Sequence, residues 1–114
     1  MRLNQGKYGR ERILSRPSIE LMTTDHLTTA QQAAARWWLG GHHGGGFGVS
    51  VITRRDDVAS SPGRFGWDGA YGTSWASAPK EDLSAILMTQ CLAGSYAPGM
   101  GLDVWTSVYQ AMDD

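Results

Sequence analysis

Ten of the 15 glycines in this chain of 114 residues fall between Gly40 and Gly72. A glycine in a helix interior costs about 1 kcal/mol relative to alanine, so this stretch does not specify a long helix. It suits short strands joined by tight turns with closely approaching backbones. Within it, Phe47, Val49 and Val51 fall at alternate positions on one face of the stretch from Phe47 to Thr53, the period-two pattern of a strand. Arg64 to Tyr71, Thr73 to Ala78 and Leu83 to Thr89 read as three more strands, with Ala78 to Asp82 as the turn between the last two. The pattern is an antiparallel meander.

Helical signals lie on either side. Ser15-Arg16-Pro17 provides a serine cap and a first-turn proline for a short helix reaching Met22, with Ile19 and Met22 on its apolar side. Thr28 to Leu39 has good helix propensity but mostly methyl-sized apolar groups, and reads as a weak helix or a loop. Leu102, Trp105, Val108, Tyr109 and Met112 fall on one face of a closing helix. The expected fold is α+β: an antiparallel sheet of about four strands with flanking N- and C-terminal helices, in a single partial domain over residues 1–114.

At 41% hydrophobic residues the composition suits a packed core. Ten basic against eleven acidic residues leave a net charge of −1, which gives no field to attract nucleic acid or an anionic membrane, and neither partner is expected. Cys91 is the one cysteine, so an intramolecular disulfide is excluded, and a buried thiol is the simple expectation for it. No apolar run follows the basic residues at the N-terminus, so the chain as given is expected in the cytoplasm.

Several motifs compete with ordinary structural explanations. The run Gly40 to Gly46 lacks both the dinucleotide fingerprint and the Walker spacing. Its His43-Gly44-Gly45-Gly46 resembles a lipase oxyanion loop, but that loop needs a G-x-S-x-G elbow, which this sequence does not contain. His42 and His43 are expected to project in different directions with no third ligand nearby, so no metal and no other cofactor is expected. Ser77-Ala78-Pro79-Lys80 matches S-x-x-K, but catalysis needs that pair on one helix face. Here a turn is expected, sending Ser77 and Lys80 apart into solvent. Asp68-Gly69 between aromatic residues reads locally as a two-residue hairpin turn.

The order of several segments adds a resemblance. Gly9 to Ser15, Glu20 to Thr23, Gly46 to Val49, Phe65 to Thr73, Pro79 to Leu83 and Met88 to Gln90 together resemble the C-terminal portion of the β-lactamase, penicillin-binding-protein and esterase superfamily of serine hydrolases, its esterase-like branch most closely. In that family the nucleophile is the serine of an S-x-x-K helix, a Y-x-N tyrosine assists proton transfer, and a third motif lies on a strand. The resemblance puts Trp67-Asp68-Gly69 at the third motif. It implies that the Ala70 N–H supplies half of an oxyanion hole and that Trp67, Asp68, Gly69 and Tyr71 bind substrate. Trp67 would replace a cation and favour uncharged acyl groups, with the charge of Asp68 adding to that preference. Ester or amide hydrolysis through an acyl-enzyme is the implied activity, with a small acyl substrate and an N-terminal segment carrying S-x-x-K and Y-x-N as partners. Neither motif stands at its family position here, so this chain alone is expected to be inactive, as a truncated copy would be. A noncatalytic binding module using the glycine-rich loop with Trp37, Trp38, Trp67 and Trp75 is the alternative.

Overall fold

A computed structural model describes residues 4–92 and 99–112. A two-stranded hairpin, β1 (Lys7–Tyr8) and β2 (Glu11–Arg12), opens the chain. It is followed by helices α1 (Arg16–Met22) and α2 (Thr29–Leu39). Five strands then form one sheet: β3 (His43–Gly45), β4 (Ser50–Ile52), β5 (Phe65–Asp68), β6 (Ser74–Ala78) and β7 (Leu83–Leu87). They lie in chain order, each antiparallel to the next. Helix α3 (Met100–Gln110) follows. The α+β class and the meander are as the sequence indicates, with one strand more than expected.

Alternation along the strands separates two faces. Ala76 and Ala78 of β6 point to one face, where they form a buried cluster with Ala59, Trp105 and Tyr109. Leu83, Ala85, Val108 and Met112 complete this cluster. The methyl groups on the strands leave room for the two large rings of α3, which sit one helical turn apart. Val49, Val51 and Phe65 pack on the opposite face against Trp75, whose ring meets Phe65 edge-on at 6.2 Å. Gly66 is required between these layers because a Cβ there would come within 2.0 Å of the Trp75 carbonyl oxygen.

Some local expectations differ from the structure. Residues 47–49 form a turn, closed by the Gly46 N–H donating to the Val49 carbonyl at 2.9 Å, so the strand starts at Ser50. Phe47 is 54% exposed and stacks on His26 at 4.6 Å. The Thr28–Leu39 stretch is a full helix, held at its start by a capping box: the Thr28 side chain accepts from the Gln31 N–H and the Gln31 side chain accepts from the Thr28 N–H. The β5–β6 turn spans residues 69–73, closed by the Gly69 N–H on the Thr73 carbonyl at 2.7 Å, so Asp68 belongs to the strand. Cys91 is exposed. Ser77 lies buried on β6, sharing a 2.7 Å hydrogen bond with Ser84 of β7, whereas Lys80 is exposed on the intervening 3-10 turn. Ser77 is therefore not in solvent, although it and Lys80 do diverge. Among the described residues no helix is long and apolar enough to cross a membrane.

Candidate functional site

The end of β5 presents its residues alternately to the two faces of the sheet. Trp67 pairs with Trp75 across the strands and shares the face of Phe65. It is 43% exposed, and its ring meets Trp38 of α2 edge-on at 5.6 Å. Asp68 turns the other way. Its Oδ1 accepts from the Ser74 hydroxyl at 2.5 Å, and the Ser74 Oγ in turn accepts from the Trp105 indole N–H at 2.9 Å. The carboxylate is thus engaged toward α3, on the other face of the strand from the Trp67 side chain.

Gly69 and Thr73 close the turn, leaving Ala70 and Tyr71 exposed at its tip. Among the described residues no acceptor takes the Ala70 N–H. The Tyr71 carbonyl accepts from the Thr89 hydroxyl at 2.5 Å, tying the tip to the chain beyond β7.

Each face carries a depression. On the α3 face, a cavity of about 280 Å³ is lined by polar groups including His43, Asp57, Arg64, Asp68 and Ser74. The Arg64 guanidinium lies 4.1 Å from the Trp105 ring centre and donates to the Ala59 carbonyl at 2.6 Å. Burial, followed by the nearby charges of His42 and Arg64, holds the His43 imidazole below its ordinary pKa, against the opposing pull of Asp68 and Asp56. On the opposite face, a groove of about 310 Å³ lies between α2 and the β3–β4 hairpin. Trp67 lines both depressions, Asp68 and Gly69 line the polar one, and Ala70 and Tyr71 line neither.

The chain also assembles a group that its sequence hides. His42 Nδ1 lies 2.5 Å from Asp56 Oδ2, and Asp57 brings a third possible ligand atom within 4.8 Å of the others. The expectation of no carboxylate near these histidines is therefore corrected. The β3–β4 pairing and the two bonds from Thr53 to the His42 carbonyl, at 2.8 and 2.9 Å, bring His42 to the root of the loop carrying both aspartates. The His42 and His43 rings, expected to point apart, meet edge-on at 4.4 Å. One imidazole with two carboxylates is a donor set that zinc or manganese accepts. Both carboxylates are exposed, and a solvated hydrogen bond between His42 and Asp56 accounts for the same arrangement.

No family model matches the chain. Two curated proteins of Mycobacterium tuberculosis, protein Rv1367c of strain H37Rv and the uncharacterized protein MT1414 of strain CDC 1551, are each 34% identical to it over 115 residues. Each alignment takes in 95% of this chain and 27% of the relative. Among solved structures, EstCE1, described as a hydrolase with promiscuous acyltransferase activity, superposes with a TM-score of 0.68 at 26% identity. That superposition covers 94% of this chain and 26% of EstCE1. The chain thus spans about a quarter of the length of the relatives it matches. Over that span, its α+β meander with the closing helix has a hydrolase-like fold.

Proposed function

We propose that this chain supplies the third-motif strand and one wall of the acyl pocket in a serine hydrolase of the β-lactamase and esterase type. The attacking serine of S-x-x-K and the tyrosine of Y-x-N come from a further polypeptide segment. The observation that carries this reading is the Ala70 N–H, exposed in the turn after β5 with no described acceptor, on the strand end that carries Trp67. As the serine adds to an acyl carbonyl, negative charge grows on the carbonyl oxygen, and a fixed N–H donor stabilises that charge more than it stabilises the neutral ester. The donor is held by its neighbours: Gly69 is closed onto Thr73, and Asp68 is anchored through Ser74 to Trp105. Trp67 offers an apolar surface where a substrate carboxylate would need a cation, which favours neutral acyl groups. EstCE1, the structural neighbour with hydrolase activity, supports the reaction class.

The test is reconstitution. The chain alone is expected to leave p-nitrophenyl butyrate intact, and addition of the part of Rv1367c outside the matched stretch should restore release of p-nitrophenol. Ala70→Pro, which deletes the N–H, should lower the restored rate about 10²–10³-fold while the circular dichroism stays unchanged. Turnover by the isolated chain that Ser77→Ala abolishes would overturn the proposal.

A further inference from the structure

The groove on the Trp67 face has walls with one chemical character. Leu27, Ala35, Trp38, Leu39, Val49 and Trp67 surround it, and the remaining lining residues are glycines. None of the lining side chains is ionisable. Helix α2 buries no residue of its own, yet it presents Trp38 to this space while the adjacent Trp37 is 87% exposed and lines no part of it. Trp38 remains 53% exposed although its ring touches Trp67. Two large rings meeting at an open groove gain further from an apolar guest that removes their remaining surface from water.

We infer that this groove binds the apolar acyl chain of a neutral substrate, with Trp38 of α2 as a specificity-determining wall. The inference rests on the proposed hydrolase reading and extends it, because Trp67, which lines the groove, lies on the strand that leads to Ala70. Two observations select the occupant. A lining without charge gives a carboxylate or ammonium group nothing to replace its lost hydration, so a charged chain is rejected. At about 310 Å³ the groove lies at the lower end of small-ligand sites, which suits a short acyl chain rather than a long lipid or a folded partner.

The test uses the whole chain and two probes of equal length, hexanamide and hexanoate, followed by the indole N–H resonances. Hexanamide should shift the Trp38 and Trp67 signals saturably, and hexanoate should bind about tenfold or more weakly. Trp38→Ala should weaken hexanamide binding by a similar factor, Trp38→Phe should retain most of it, and Trp37→Ala should leave it unchanged. Equal binding of the two probes, insensitivity to Trp38→Ala, or no saturable shift overturns the inference. So does a shift of the same signals with protein concentration alone, which would assign the groove to a second copy of the chain. Because no turnover is measured, the two proposals fail separately: binding without reconstituted hydrolysis removes the hydrolase reading, and hydrolysis without binding removes only the groove.

Discussion

His43 shows how one side chain makes the fold sensitive to pH. Burial and the neighbouring cations hold its folded pKa below the value of about 6.5 that it has in the open chain. As pH falls through about 6.5, the unfolded state takes up the proton first, so stability is full above that value and declines toward the lower folded pKa. The denaturation midpoint should therefore drop as pH falls below about 6.5, and His43→Gln should flatten that part of the profile in a urea titration. At this scale the sequence is readable where a residue's role follows from its own strand. Period-two alternation alone separates Trp67 from Asp68. It does not reveal Ser74 and Trp105 as the partners of Asp68, because one lies across a turn and the other on a distant helix. Asp56 and Asp57 were equally hidden, since only the β3–β4 pairing carries His42 to them.

At the scale of elements, side-chain pattern explains what was legible. Strands β5, β6 and β7 carry alternating aromatic, alanine and aliphatic residues and lie within the segments that alternation marks. Strand β3 has almost no side chains to alternate, and it forms through its neighbours. Asp25 accepts the Gly45 N–H at 2.9 Å, and its carboxyl occupies the space a Cβ on Gly44 would need. Helix α2 was undervalued because its methyl groups bury little, although its Thr28-x-x-Gln31 start signal was present in the sequence. With no residue of α2 buried, the cap carries an unusual share of its stability. Thr28→Ala should cost about 1 kcal/mol in urea denaturation, together with a loss of far-ultraviolet helix signal.

The two faces of the sheet differ in how deeply they hold their tryptophans. On one face Trp105 is 7% exposed, stacked under Arg64 and bonded to Ser74, whereas Trp67 on the other face is 43% exposed. Trp105→Ala should therefore destabilise the chain by about 3–5 kcal/mol. Trp67→Ala should cost less than about 1 kcal/mol, and calorimetry of the two variants measures the contrast. The sheet is also unequal at its two borders. Along β3 the chain folds back on itself, with the His26 N–H on the Gly45 carbonyl at 2.9 Å and Asp25 on the Gly45 N–H. At Gly45 that border is occupied from within. A strand recruited from another molecule therefore finds the Gly45 end of β3 already taken, its pairing groups spent on the chain's own loop.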